Sequence, residues 1–239
     1  MLRNERFFES EREIFSVLKE RGFEPSLIVD IGASNGAWTR NCLNVFEDGQ
    51  YLLYEPLYPH LDHYRSGIDK LTASNRRITC RPLALADKPL VADFFITPNS
   101  VGSSLLKVSD SRTVQVEVTT LDQDLERVSG SIDILKMDTQ GSELRILRGA
   151  KSVIPRSRVI LVESWLYRGY GSATPLANEI IAELHGYGFR VFGMGGPYFN
   201  PENVLYAVDL YFGTPDILEL LGPEPFAPPS QSNGLAPRC

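Results

Sequence analysis

Cysteine and histidine are both scarce in this chain, with three of each among 239 residues. Cys42, Cys80 and Cys239 stand far apart, and no C-x-x-C pair is present. That spacing excludes a zinc cage and a disulfide framework as the basis of the fold. The thiols are therefore expected to be buried or idle in a reducing compartment. Long apolar runs are missing too: no segment approaches the roughly 18 continuous apolar residues of a membrane-spanning helix. The opening Met1-Leu2-Arg3-Asn4-Glu5-Arg6, followed by Phe7, Phe8 and a dense charged stretch, lacks the apolar centre of a secretory signal, so a cytoplasmic address is expected. There is no excess of positive charge either. The 24 Lys and Arg are outnumbered by 30 Asp and Glu, a net charge of −6 that argues against nucleic acid or an anionic membrane as the main partner.

Hydrophobic residues make up 43% of the chain and charged residues 23%, which suits one large domain with its own core rather than a disordered chain. Phe7, Ile14, Phe15 and Leu18 recur at near-helical spacing through a charged stretch, predicting an amphipathic helix within residues 3–21 that ends at Gly22. Short apolar runs at 27–31, 51–54, 77–81, 132–137 and 159–162 read as strands buried on both faces. Helices are expected at 37–45, 59–68, 142–147 and 175–187. Strands alternating with helices imply a doubly wound, mostly parallel α/β sheet. The alternation breaks at 92–97 and 113–120, two strand-like runs flanking a polar loop, which predict an inserted β excursion. Runs at 189–192 and 205–212 predict a final antiparallel strand pair, joined by a mobile Gly193-Met194-Gly195-Gly196-Pro197-Tyr198 loop able to close over a ligand.

The most informative segment is Asp30-Ile31-Gly32-Ala33-Ser34-Asn35-Gly36, between the first strand and the next helix. Glycines there let the backbone turn sharply and approach a ligand, while the helix start offers free N–H groups. The spacing is G-x-x-x-G, not the dinucleotide fingerprint G-x-G-x-x-G, and an acidic residue stands two places before the first glycine. A carboxylate facing the ligand repels a pyrophosphate but suits the cationic amino group of S-adenosylmethionine, directly or through water. Glu55 closes the next strand, where a carboxylate reaches a ribose and accepts hydrogen bonds from its hydroxyls. A third signal is Lys136-Met137-Asp138-Thr139-Gln140-Gly141-Ser142-Glu143, in which a buried strand delivers Asp138 to the carboxyl edge of the sheet, the edge where ligands bind. Glu163, ending the strand after that, points to the same crevice. Glu143 is expected to cap the following helix.

These segments resemble the FkbM-type family of class I S-adenosylmethionine-dependent methyltransferases. The matching pieces are Asp30-x-Gly32-Ala33-x-x-Gly36, Tyr54-Glu55-Pro56, Leu83-Ala84-Leu85-Ala86-Asp87, Lys136-x-Asp138-x-x-Gly141-x-Glu143, Leu147-Arg148-Gly149-Ala150 and Val162-Glu163. The resemblance covers roughly residues 26–212 and departs from the family's usual wording at Arg81-Pro82, where an Asn often stands. It implies a Rossmann-like methyltransferase domain at 26–215 with inserted strands near 90–120, preceded by a packing helix within 1–25 and followed by a poorly ordered tail at 216–239. It implies S-adenosyl-L-methionine as cofactor, with Asp30, Gly32, Ala33, Asn35 and Gly36 along its methionine end, Glu55 at the ribose, Leu83 and Ala84 beside the adenine, and Ser103 or Ser104 nearby. The reaction implied is O-methylation of a hydroxyl on a small-molecule or glycan acceptor such as a sugar or polyketide-like product.

Methyl transfer to oxygen needs donor and acceptor held collinear, and a base for the hydroxyl proton. Asp138 and Glu163 are the candidates, with His185 behind them. His60 and His63 are spaced as half a metal site, but a solvated pair is the plainer reading, and no metal is expected. Two other functional classes remain open. One is a nicotinamide-dependent oxidoreductase, disfavoured by the missing fingerprint and by Asp30. The other is a non-catalytic cofactor-binding scaffold, disfavoured by Asp138 and Glu163 at the strand ends. N-methylation stays open within the enzyme reading.

Overall fold

The run Leu27-Ile28-Val29-Asp30-Ile31, apolar except for Asp30, lies near the middle of a seven-stranded sheet, where both of its faces are covered. In the computed structural model, which describes residues 11–222, helix α1 (Glu11–Glu20) leads into β1 (Leu27–Ile31), α2 (Ala37–Leu43), β2 (Gln50–Tyr54), α3 (Asp62–Ser74) and β3 (Ile78–Arg81). Then come β4 (Ala84–Leu85), β5 (Leu90–Ile96), β6 (Arg112–Thr119), the short α4 (Leu121–Asp124), β7 (Ile132–Met137) and α5 (Glu143–Arg148). The chain continues through β8 (Ser157–Trp165), α6 (Ala177–Gly186), β9 (Arg190–Phe199), β10 (Leu205–Gly213) and α7 (Pro215–Leu221).

The main sheet has the order β3-β2-β1-β7-β8-β10-β9. The first five strands pair in parallel, and β10 runs antiparallel to both β8 and β9. Strand order reverses between β1 and β7, and the crevice at that switch point opens at the carboxyl ends of the strands. Successive residues of each strand serve opposite faces. Val29, Leu135 and Ile160 join a core under α5 and α6, while Ile28, Ile134 and Val159 join one under α1, α2 and α7. On the second face Phe15 of α1 packs edge-on to Trp38 and Tyr211. No helix among the described residues is long and apolar enough to cross a membrane.

The inserted strands form their own sheet, β4-β6-β5, with β4 parallel and β5 antiparallel to β6. It encloses a third apolar cluster built from Leu57, Ala84, Phe94, Ile96, Val116 and Val118. The motif pieces at 83–87 and 143–150 meet beside it, where Arg145 pairs with Asp87 at 2.8 Å and Asp122 N–H donates to Gly149 O at 3.0 Å. Arg81, the departure from the family wording, ties β3 to α4: it pairs with Asp124 and lies over the Tyr54 ring.

Three boundaries differ from the sequence expectation. Helix α3 begins after Pro59 and runs on to Ser74, because Tyr64, Ile68 and Leu71 carry one buried stripe. The glycine-rich stretch at 193–198 is not a loop but the second half of β9, paired with β10 through a ladder that contains register shifts. The expected tail at 216–239 begins too early, since α7 starts with Pro215 in its first turn and buries Ile217 completely. Phe7 and Phe8 at the start, and the expected tail from residue 223 onward, lie outside the described residues.

Candidate active site

The ends of β1, β2, β7 and β8 carry most of the polar side chains of this site, and β9 and β10 add Tyr198 and Asp209. They surround a cavity of about 310 Å³, within the size range of small-molecule pockets. Gly32 begins the first loop with φ +77°, a backbone state that glycine adopts without steric cost. A Cβ at this position would stand 1.9 Å from the carbonyl oxygen of Asp138, so only glycine lets the two loops touch. Gly32 and Ala33 N–H both donate to Tyr54 O, at 2.9 and 3.1 Å, and Asp138 N–H donates to Ile31 O at 3.1 Å. The three loops thereby form one connected floor.

Glu55 is buried with its carboxylate in the cavity wall. Oε2 accepts from Ser34 N–H at 2.7 Å and Oε1 from Leu57 N–H at 2.8 Å. Each oxygen keeps a second lone pair for a ligand hydroxyl. Burial pushes the carboxyl up to about 7, against the opposing pull of those two N–H groups and of Lys136. Part of the wall is apolar: Leu57 from the segment after β2 clusters with Ala84, Phe94 and Leu105 of the excursion, and Leu83 also lines the cavity. Another part is polar.

The polar wall centres on Gln140, held with φ +57° in the loop after β7. Its Nε2 donates to Asp138 Oδ1 at 2.9 Å and to Glu163 Oε2 at 2.8 Å, one N–H to each carboxylate. Its Oε1 accepts from Tyr170 O–H at 2.5 Å, which fixes the orientation of the amide. Glu143 lies beneath, fully buried, accepting from Thr139 N–H, Thr139 O–H and Gly141 N–H. Its expected capping role is thus played on the loop that presents Gln140. Glu163 is itself buried, and desolvation with Asp138, Glu143 and Asp209 nearby holds its carboxyl well above the ordinary range. Asp138 is more open, its side chain 38% exposed.

The sequence candidates divide into two groups. Gly32, Ala33, Asn35, Glu55, Leu83, Ala84, Asp138 and Glu163 line the cavity together. Asp30, Gly36 and Ser104 do not line it. Asp30 is completely buried behind the loop, where Thr39 O–H donates to it at 2.6 Å and the Lys136 ammonium lies 3.0 Å away. A charge so deep is compensated internally, by the hydroxyl and the ammonium. Gly36 begins α2, and its missing side chain makes room for Leu71 of α3, whose Cδ1 would stand 2.4 Å from a Cβ. Ser104 is buried and donates to Gln140 O at 2.7 Å, which makes it a support for the loop, while its neighbour Ser103 reaches the cavity.

Sequence reading gave no role to Lys136, Gln140, Tyr198 and Asp209, all of which line the cavity. A signal existed for two of them: Asp209 is the lone charge of its strand run, Lys136 shares its run only with Asp133, and buried charges are rare without a partner or a task. Gln140 and Tyr198 stand out in the sequence only as members of longer stretches, the segment after β7 and the glycine-rich run at 193–198. His60 and His185 are exposed, and His63 hydrogen-bonds Ser100 Oγ at 3.1 Å. Among the described residues no group of three or more His, Cys, Asp or Glu is placed to hold a metal ion.

The features an S-adenosylmethionine pocket requires are present: a glycine floor open to close approach, a buried carboxylate at the end of β2, and an apolar wall for a base. The sequence matches the methyltransferase FkbM domain over residues 30–191. No match was found among curated proteins. Among solved structures, the chain is similar to the FkbM methyltransferase of Methylobacillus flagellatus KT, with 18% identity and a TM-score of 0.53 over 82% of this chain and 47% of that one. The chain therefore spans about half the length of that protein. NodS, an N-methyltransferase of Bradyrhizobium japonicum WM9, is 10% identical with a TM-score of 0.48, covering 90% of this chain and 99% of that one. Fibrillarin of Aeropyrum pernix, which carries natively bound S-adenosyl-L-methionine, is 11% identical with a TM-score of 0.46 over 83% and 74% of the two chains. With more than half of its length matched by the domain and its loops converging on one cavity, the chain belongs to the FkbM family of S-adenosylmethionine-dependent methyltransferases.

Proposed function

We propose that this chain methylates a hydroxyl group on a sugar, glycan or polyketide-like acceptor, with S-adenosyl-L-methionine as methyl donor. The observation that carries the reading is one cavity lined both by an apolar cluster from the excursion and by the acids Glu55, Asp138, Glu163 and Asp209. Glu55 would hold the ribose hydroxyls, Leu83 and Ala84 would flank the adenine, and Gly32, Ala33 and Asn35 would border the methionine end. When bound, the cofactor supplies a methyl group already activated on a sulfonium. The chain's own residues then have two tasks. The loops hold the acceptor oxygen in line and exclude water, which by itself is worth several orders of magnitude in rate. Asp138, 3.8 Å from the Lys136 ammonium and fixed by Gln140, takes the hydroxyl proton on Oδ2, the oxygen not engaged by the amide.

The acceptor wall is dominated by carboxyl groups, and the single ammonium in the lining is engaged with Asp30. An acceptor carrying phosphate or carboxylate near the reacting oxygen would be repelled, which supports a neutral polyol. A cytoplasmic site of action belongs to the same reading.

The deciding experiment is calorimetric titration with S-adenosylhomocysteine, with NADH in parallel, followed by acceptor screening with sugars and polyketides. Binding of S-adenosylhomocysteine alone is the expected result. Binding of NADH alone would overturn the proposal and reassign Glu55 to a dinucleotide ribose.

A further inference from the structure

The register of β10 against β8 sets Asp209 directly opposite Glu163. Both side chains are buried, at 7% and 6% exposure, and both line the cavity. Like charges facing each other across an antiparallel pair repel, and an apolar pair at the same place would stabilise the sheet. Packing alone therefore gives no reason for two acids here.

The chain around Asp209 is shaped to receive its carboxylate. Gly196 of β9 has φ +47°, and a Cβ there would stand 2.1 Å from Asp209 Oδ2. The β9–β10 ladder slips between Ala207 and Asp209, and such irregularities re-aim side chains next to active sites. Tyr198, which pairs with Ala207 in that ladder, donates its hydroxyl to Asp209 Oδ2 at 3.3 Å. The glycine-rich stretch that the sequence suggests as a mobile loop is thus a strand with a pocket cut for one carboxylate.

We infer that Asp209 is a positioning residue of the acceptor wall: it keeps a proton on Glu163 Oε1, so that Glu163 meets the acceptor as a neutral hydrogen-bonding group and Asp138 is left as the base. The assignment to an acceptor rests on the function proposed above. Glu163 Oε2 already accepts from Gln140 Nε2, which leaves Oε1 as the oxygen to be protonated. The acids around Glu163 are Asp138 from the loop after β7, Glu143 from α5 and Asp209 from β10. The phenols of Tyr170, from the segment after β8, and Tyr206, from β10, are close enough to feel its charge. Tyr198 from β9 contacts Asp209, and the ammonium of Lys136 of β7 stands between Asp30 and Asp138. A buried acid held neutral beside a more open one is the arrangement that divides donor from base.

The test is carbon-13 NMR titration of the side-chain carboxyls in the full chain, with the Glu163 signal identified by its loss in E163Q. The expected result is a Glu163 midpoint above the ordinary Glu range that falls by about one pH unit or more in D209N, a tenfold change in its ionisation constant. D93N, at an exposed acid of β5, serves as the control and should leave it in place. G196A keeps the acid but crowds its carboxylate out of its place, and should lower the midpoint in the same direction even if D209N does not fold. A Glu163 midpoint that stays the same in D209N or in folded G196A overturns the inference. A wild-type chain that does not bind S-adenosylhomocysteine would overturn the methyltransferase proposal instead, and would leave the titration result standing.

Discussion

Lys136 and Asp30 meet inside the protein, ammonium to carboxylate at 3.0 Å, with 6% and 0% of their side chains exposed. The same ammonium donates to Gly32 O at 2.9 Å and stands 3.8 Å from Asp138. One buried cation therefore joins the strand acid, the glycine loop and the proposed base. Removing it strands a buried carboxylate, which typically costs about 3–5 kcal/mol. K136M is expected to lose stability of that size in urea unfolding, while D30N/K136M together should lose clearly less than the two single changes added. Strict additivity would mean the pair is not coupled.

Asp138 and Glu163 should respond differently to amide substitution. Once an acceptor is identified, D138N is expected to lower kcat/KM by about 10²–10⁴, the usual worth of a positioned base. E163Q replaces a group already taken to be neutral, and its loss should stay near tenfold, about the worth of one neutral hydrogen bond. Initial rates of purified variants measure both. The reverse order would move the base to Glu163.

Glu55 makes ligand-free stability depend on pH. Its folded value of about 7 lies above its ordinary 4.5, so the native chain retains a proton that the unfolded chain releases between these values. The stability it contributes is complete below about pH 4.5 and is lost as pH rises through about 7, by up to roughly 3 kcal/mol. Thermal melts from pH 5 to 7.5 should show a decline that is shallower in E55Q. An equal slope in both proteins would show that other groups cause it.

Affinity should move the other way. Ribose hydroxyls donate to the ionised form of Glu55, so S-adenosylhomocysteine should bind several-fold more tightly at pH 8 than at pH 6. E55A, which removes a charged hydrogen-bond acceptor, should weaken binding about 10- to 100-fold at pH 8. Calorimetry at the two pH values decides it, and a pH-independent affinity would remove Glu55 from the ribose.

The two glycines of the first loop should not be equivalent. G32A sets a Cβ against the rigid carbonyl of Asp138, and is expected to cost several kcal/mol and to abolish S-adenosylhomocysteine binding. G36A meets the end of the Leu71 side chain, which can turn aside, so its cost should stay near 1–2 kcal/mol with binding retained. Melting curves with and without S-adenosylhomocysteine separate the two.

Much of the site was legible because its residues sit at strand ends, and strand ends can be read from local apolar runs. Glu55, Asp138 and Glu163 were placed at the crevice in this way, and Gly32 was marked by the turn that follows β1. That Asp30 lies behind the cavity wall was not legible, because a strand acid looks the same in sequence whether it lines a cavity or faces a buried lysine 106 residues away. Ser103 and Ser104 were indistinguishable as neighbours; the twist of the excursion loop points one into the cavity and the other at Gln140 O. The stretch at 193–198 was misread because glycines signal a loop locally, whereas here they make room in a bulged strand.

The sequence by itself determined the order of strands and helices, the glycine floor and the acids at the carboxyl edge, because each depends on periodicity or on turn chemistry within a few residues. Tertiary structure alone decided which charges cancel inside and which face the cavity. Lys136 is drawn to Asp30 by the pairing of β1 with β7, and Asp209 is set against Glu163 by the pairing of β10 with β8. Electrostatic partnership depends on distance in space, and only the packed sheet brings such distant positions within a few ångströms.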